Sequence, residues 1–171
     1  PLARNLLGQA LASQKKFTEA ITAWREFLDK HPSDPHWSNV QRIVIDTEYA
    51  MAESQRSEKN FGAARELWMT FLNKYPLDGR APEILFLFGQ MKFSAGITNW
   101  NQEIDAAKAD GKVVEGPVEP KAKTRKLFEE AIAEWQRLVS KYPGTEQASR
   151  AAFAIGTTRE DQLGQLAQSL D

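Results

Sequence analysis

The chain has 171 residues, of which 42% are apolar and 26% charged, with a net charge of −1 at pH 7 and no cysteine. That length suffices for one domain with a sizeable core, and the near-zero charge gives no electrostatic reason to expect nucleic acid or an anionic membrane as partner. The absence of cysteine excludes disulfides, thiol catalysis and cysteine-ligated metal, and no apolar run approaches the roughly 18–20 residues of a membrane-inserting helix. The chain opens Pro1-Leu2 and stops inside a helical pattern at Asp171, so it reads as a piece of a larger protein in which missing targeting signals carry no weight.

Leu2–Gln14 carries apolar residues at helical spacing, with Gly8 in the interior. A mid-helix glycine costs up to about 1 kcal/mol of propensity, and close approach of a neighbouring helix is the expected return. Gln14-Lys15-Lys16 is a short turn, and Phe17–His31 is a second helix, so 2–31 reads as an antiparallel hairpin. Pro32-Ser33-Asp34-Pro35 breaks the chain, with Asp34 as the expected N-cap of a helix running from Pro35 or His36 to Lys59. Phe61–Tyr75 completes a second hairpin over about 36–75. Pro76-Leu77-Asp78-Gly79 breaks the chain again before a fifth helix, Ala81–Ala95.

About thirty residues, 97–126, then stand between the two helices of a third hairpin spanning about 81–141. Asn101–Ala109 reads as weakly helical, Asp110-Gly111 as its end, and Val113–Pro120 as non-helical; such an insertion is expected to be a surface loop or a partner-contacting elaboration. Lys121–Ser140 is the sixth helix, and Glu146–Gln168 the last, without a following partner helix.

The second helix of each pair repeats one pattern: FTEAITAWREFLDKHP (17–32), FGAARELWMTFLNKYP (61–76) and FEEAIAEWQRLVSKYP (128–143). Its anchors are Phe17, Phe61 and Phe128; Ala20, Ala64 and Ala131; Trp24, Trp68 and Trp135; and Pro32, Pro76 and Pro143. The first helices supply Gly8, Gly89 and Gly156 at matching offsets, with Ala52 in the second. The Gly8-to-Ala20 spacing, the aromatic four residues later and the closing proline resemble the tetratricopeptide repeat. Phe27, Phe71 and Leu138 depart from the small residue usual there, and Arg4 from the usual tryptophan. The resemblance implies an all-α, right-handed solenoid of about three stacked hairpins plus an unpaired last helix, forming one domain. The phrases KYPLDGRAPEILFLFGQ and KYPGTEQASRAAFAIG are similar to repeats of bacterial envelope proteins of the outer-membrane assembly and Tol–Pal accessory type. They are also similar to helical segments of large macroglobulin-like secreted proteins, and together these likenesses imply a periplasmic, envelope or secreted location.

In that family the first helix of each pair lines a concave groove. Carried over by register, the groove positions are Asn5, Gln9 and Ser13; Tyr49, Glu53 and Arg56; Phe86, Gln90 and Phe93; and Phe153, Thr157 and Glu160. The row 5, 49, 86 and 153 reads Asn, Tyr, Phe, Phe, a partly aromatic stripe of the kind that anchors peptides and proteins. The competing reading buries these rings between helices.

His31 and His36 are the only histidines; the first stands where Tyr75 and Tyr142 recur, and neither sits in a metal-ligand pattern. No phosphate-binding glycine loop or paired carboxylate stands out, and the basic run Lys121, Lys123, Arg125, Lys126 adjoins Glu115 and Glu119. The expected function is a protein–protein interaction scaffold, without cofactor or catalysis, that binds a peptide, a protein or a neighbouring domain of its own chain. A structural spacer and a non-catalytic accessory domain of a larger enzyme are the alternatives. The last helix is expected to expose an apolar face of Phe153, Ile155, Leu163 and Leu166 on which copies could self-associate.

Overall fold

The computed structural model describes residues 2–109 and 118–164. Among them are seven α-helices and no strand: α1 Leu2–Ser13, α2 Phe17–Lys30, α3 Trp37–Ser57, α4 Phe61–Lys74, α5 Ala81–Ala109, α6 Ala122–Lys141 and α7 Glu146–Thr157. A wider, π-type turn, Thr158–Gln162, follows α7. The helices fall into two compact units, Pro1–Pro76 and Leu77–Asp171.

In the first unit α1 packs on α2, α2 on α3, and α3 on α4. The two hairpin turns are the same object. Lys15 and Lys59 sit at φ 59° and 63°. Lys16 N–H donates to Leu11 O at 3.0 Å and Asn60 N–H to Gln55 O at 2.9 Å, closing each helix in the same left-handed turn. The second helices also end alike. His31, Tyr75 and, in the other unit, Tyr142 adopt φ near −130° and ψ near 57°, each amide returning to the carbonyl of Phe27, Phe71 or Leu138.

Pro32, Pro76 and Pro143 come next, and their part in the repeat differs from that of the other anchors. All three are solvent-exposed and lie in the turns beyond the helices. Pro143 therefore holds no core position, and neither do Pro32 and Pro76. Each acts on the backbone instead: it lacks the N–H that another helical turn would need, and its ring drives the preceding His31, Tyr75 or Tyr142 out of the α region. Asp34 is not the N-cap: α3 begins at Trp37, and the Asp34 carboxylate accepts the His36 amide at 2.8 Å, within the turn that precedes the helix.

The repeat's small and large anchors meet inside. Ala20, Ala64 and Ala131 are fully buried, and Trp24, Trp68 and Trp135 are at most 2% exposed. At about 25 cal/mol per Å², burying a ring of 150–250 Å² contributes at most about 4–6 kcal/mol, which makes each tryptophan the largest single holder of its hairpin. The phenylalanines do not share one environment: Phe128 is buried, Phe17 half-buried and Phe61 49% exposed.

In the second unit α5 packs on α6, and α7 packs on both. Here the insertion departs from expectation. Residues 97–109 are not a separate surface element but the continuation of α5 to Ala109, because nothing between Ala95 and Asn101 breaks the helix. Gly96 lets it pass: an added Cβ would stand 2.6 Å from Phe128. Phe93, Ile97, Trp100 and Ile155 pack around Phe128, Ile132 and Leu163. The polar contacts complete the seam. Trp100 Nε1 donates to Val118 O at 2.8 Å, and Glu103 accepts from Lys121 N–H at 2.9 Å and from the Thr124 hydroxyl at 2.7 Å. The insertion therefore lengthens the third hairpin at both of its arms; residues 110–117, including most of the expected Val113–Pro120 break, lie outside the described residues.

The last helix is shorter than its pattern. Regular α-structure stops at Thr157, the π-type turn adds a residue, and Gly164 at φ 64° turns the chain. Leu163 is thereby brought onto Phe128 and Ile132 and is 5% exposed, and Ile155 packs against the same cluster. The expected apolar face thus reduces to Phe153, 75% exposed; Leu166 lies outside the described residues.

Candidate functional site

The first helix of each pair has an inner and an outer side, and the tryptophans define which is which. Trp24 Nε1 donates to Asn5 O at 3.3 Å and to Asn5 Oδ1 at 3.1 Å. Trp135 Nε1 donates to Phe86 O at 3.1 Å. Asn5 and Phe86 occupy one register, three residues before Gly8 and Gly89. Those glycines are the floor under the indoles: an added Cβ would lie 2.4 Å from Trp24 and 2.2 Å from Trp135. The indole N–H, buried with its ring, takes the carbonyl one turn up the facing helix.

This geometry corrects the aromatic stripe. Positions 5, 49 and 86 face the second helix of their own hairpins, while Phe153 does not. Asn5 is half-buried and engaged by Trp24. Tyr49 is half-buried and stands edge-on to Phe71, with ring centroids 5.7 Å apart. Phe86 is 5% exposed, stacked on Trp135 at 6.2 Å and covered by the Arg150 guanidinium at 4.2 Å, itself 3.6 Å from Glu83. Phe93 lies tilted between Phe128 and Trp135, with ring centroids 5.6 and 5.9 Å away. Only Phe153 of this group is open to solvent. Gly156 differs from Gly8 and Gly89 in having nothing within 4 Å of an added Cβ among the described residues.

The outer side is polar. Gln9, Ser13, Arg56 and Gln90 are exposed, and Glu53 is half-exposed. Glu53 Oε2 accepts from Arg56 Nε at 3.0 Å and Nη2 at 2.7 Å, which presents a paired rather than a bare cation. Ser57 and Ser94, five residues after Ala52 and Gly89 as Ser13 is after Gly8, are exposed too; their shared offset is visible in the repeat register. Thr157 turns its hydroxyl back to the Phe153 and Ala154 carbonyls, and Glu160 lies exposed in the π-type turn.

Two further features of the first unit escape the sequence pattern. Glu48, with 11% of its side chain exposed, accepts from Arg25 Nη2 at 2.5 Å and Lys74 Nζ at 2.9 Å. It ties α2 and α4 to α3 beside a cleft of about 220 Å³ that also takes in Ile21, Met51 and Leu67. Burial, then the Glu48 charge and its hydrogen bond, push the Tyr75 phenol up. The second is a groove of about 310 Å³ between α1 and α2, bordered by Arg4, Leu7, Thr18, Ala23 and Glu26. Leu6 and Leu7 are 53% and 52% exposed. His31 packs its ring on Phe27 at 5.5 Å, and His36 Nδ1 lies 3.0 Å from Asp34. Lys121, Lys123 and Lys126 are exposed, while Arg125 Nη1 donates to Leu163 O at 3.4 Å. Among the described residues no cluster of three His, Cys, Asp or Glu could hold a metal, and no helix is long and apolar enough to cross a membrane.

Residues 6–34, covering most of α1, all of α2 and the turn beyond, match the family model of the tetratricopeptide repeat. No curated protein matches the chain. The match and the all-helical architecture of packed neighbouring pairs support a tetratricopeptide-like repeat domain. Repeats of this kind commonly mediate protein–protein interaction and are generally non-catalytic.

Proposed function

We propose that the chain is a protein-interaction module whose outer first-helix faces bind a peptide or protein partner. One observation carries this reading: the repeat's alanine and tryptophan anchors are buried inside the hairpins, while Gln9, Ser13, Arg56, Ser57, Gln90 and Ser94 are left solvent-exposed on the first helices. Amides, hydroxyls and a carboxylate–guanidinium pair are donors and acceptors without an apolar floor. They suit an extended backbone held by hydrogen bonds rather than a buried aromatic anchor. Site-specific photo-crosslinkers at Gln9, Arg56 and Gln90, against control positions Thr22, Thr70 and Gln136 on the second helices, test it in extract of the source cells. Adducts from first-helix positions and none from the controls are the expected result. Adducts from the second helices alone, or none anywhere, would overturn it.

A further inference from the structure

We infer that the cleft between α2, α3 and α4 binds a small aliphatic carboxylic acid, with Arg25 and Lys74 taking its carboxylate and Ile21, Met51 and Leu67 its tail. The cleft lies within the first unit and has a volume of about 220 Å³. Clefts that take drug-sized ligands run from about 300 to 1,000 Å³, so this one suits a short acid rather than a long acyl chain. One end is charged. Glu48 Oε1 accepts from both Arg25 Nη2 and Lys74 Nζ, and the Glu48 carboxylate also accepts from the Tyr75 phenol. Two cations thus stand within reach of one oxygen, and each donates a single N–H to it. The rest of the Arg25 fork and of the Lys74 ammonium remains at the cleft rim, where the two side chains are 50% and 41% exposed.

Three observations define the ligand. The first is charge. Two cations face one carboxylate, and among the described residues neither pairs with a second acid, so one positive charge is left over. A ligand carboxylate balances it and accepts from both cations at once. The second is the floor. Ile21 is buried, Met51 and Leu67 are half-buried, and all three line the cleft beside the ion cluster. That floor favours a hydrocarbon tail over an inorganic anion. The Thr70 hydroxyl at the rim already donates to Glu66 O at 3.0 Å, so the lining lacks the row of donors and acceptors that a peptide backbone needs. The third is that the repeat does not require the cluster. Lys74 recurs as Lys30 and Lys141, but Met69 and Gln136 stand in the register of Arg25, and Arg4 and Leu85 in that of Glu48. The other hairpins form without a carboxylate there, whereas this cleft holds one that is only 11% exposed.

Gln9, Ser13 and Arg56 do not line the cleft, so its test is independent of the polar first-helix faces. The probe is isocaproate, titrated into the whole chain and followed by two-dimensional amide NMR. Saturable shifts confined to the neighbourhood of Ile21, Arg25, Met51 and Lys74 are expected, with a Kd on the order of 1 mM for so small a ligand. Isocaproamide has the same shape without the charge and should bind at least about fivefold more weakly. Acetate lacks the tail and should bind at least about tenfold more weakly. Arg25→Gln and Lys74→Gln, both at exposed side chains, should each weaken isocaproate binding by about threefold or more, while Lys30→Gln leaves it unchanged. No saturable shift, an amide as good as the acid, or binding indifferent to both cleft substitutions would overturn the assignment. N-acetylglycyl-leucine carries the same tail and carboxylate on a peptide. Tighter binding of that probe than of isocaproate would make the cleft a receptor for chain termini and would also overturn the proposal. The comparison of acid with amide uses the unaltered chain, so it decides even where a substitution disturbs the fold.

Discussion

Gly89→Ala and Gly156→Ala are the same chemical change in the same register, and the structure predicts opposite signs. At Gly89 the new methyl would stand 2.2 Å from Trp135 Nε1, 2.4 Å from Cδ1 and 2.5 Å from Cε2. Carbon contacts are optimal near 3.5–4.0 Å, so the ring must retreat by more than about 1 Å. It has nowhere to go: Trp135 is 2% exposed, flanked by Phe86 and Phe93, and held to Phe86 O at 3.1 Å. Overpacking costs about 1–3 kcal/mol, and loosening the indole hydrogen bond about 0.5–1.5 kcal/mol. Replacing glycine inside a helix returns about 1 kcal/mol. The balance is a destabilisation of about 0.5–3.5 kcal/mol. At Gly156 nothing lies within 4 Å of the methyl among the described residues, so only the propensity term acts and stability rises by up to about 1 kcal/mol. Urea unfolding followed by tryptophan fluorescence and far-UV circular dichroism reads both midpoints at unchanged slope. A Gly89→Ala midpoint at or above wild type, or shifts of one sign at both positions, would refute the reasoning.

Lys15→Gly and Lys59→Gly should each stabilise the first unit by about 0.5–1 kcal/mol. Both lysines hold φ near 60°, where a Cβ is strained and glycine is not, and thermal melts of the single and double variants would show additive increases. Burial acts to raise the Glu103 carboxyl, but the Lys121 amide, the Thr124 hydroxyl and the Lys121 charge together hold it below its ordinary 4.5. Its stabilisation is therefore fully present above that ordinary value and is lost as pH falls through the lowered folded-state value. Urea midpoints of wild type and Glu103→Gln should differ at pH 7 and converge at the acid end.

The repeat is legible in the sequence because its anchors recur at fixed offsets. Ala20, Ala64, Ala131 and the three tryptophans stand out as a set, and the helices they anchor are those the pattern delimits. Recurrence does not say how an anchor acts, though: Trp135 is recurrent because it packs, and Pro143 because it stops a helix while standing in solvent. The insertion is less legible for a physical reason. Its amphipathic continuity depends on Trp100 finding Val118 and on Glu103 capping the start of α6, contacts 18 to 21 residues apart that no local window contains. Gly96 is a clearance for Phe128, a role that shows only once the facing ring is known. The ion cluster of Arg25, Glu48 and Lys74 is hidden for the same cause: its members come from three helices, and local periodicity cannot show which polar residues meet.

The binding face is hard to read for a different reason, one general to repeats. Periodicity assigns residues to a stripe but does not say which stripe looks inward. The row Asn5, Tyr49, Phe86, Phe153 reads as outward because the family's first helices line a groove, whereas the constraint lies in the second helices. Each buried indole carries one N–H that must be satisfied, and the glycine–indole contact made in both the first and third pairs directs it to the carbonyl three residues before the glycine. That single requirement turns Asn5 and Phe86 inward and leaves the residues just past the glycines, Gln9 and Gln90, exposed. It also explains why Phe153 differs from Phe86 although the two occupy one register. A phenylalanine at that position is a wall for a tryptophan, and it is buried where the tryptophan is present and solvent-exposed where none stands against it.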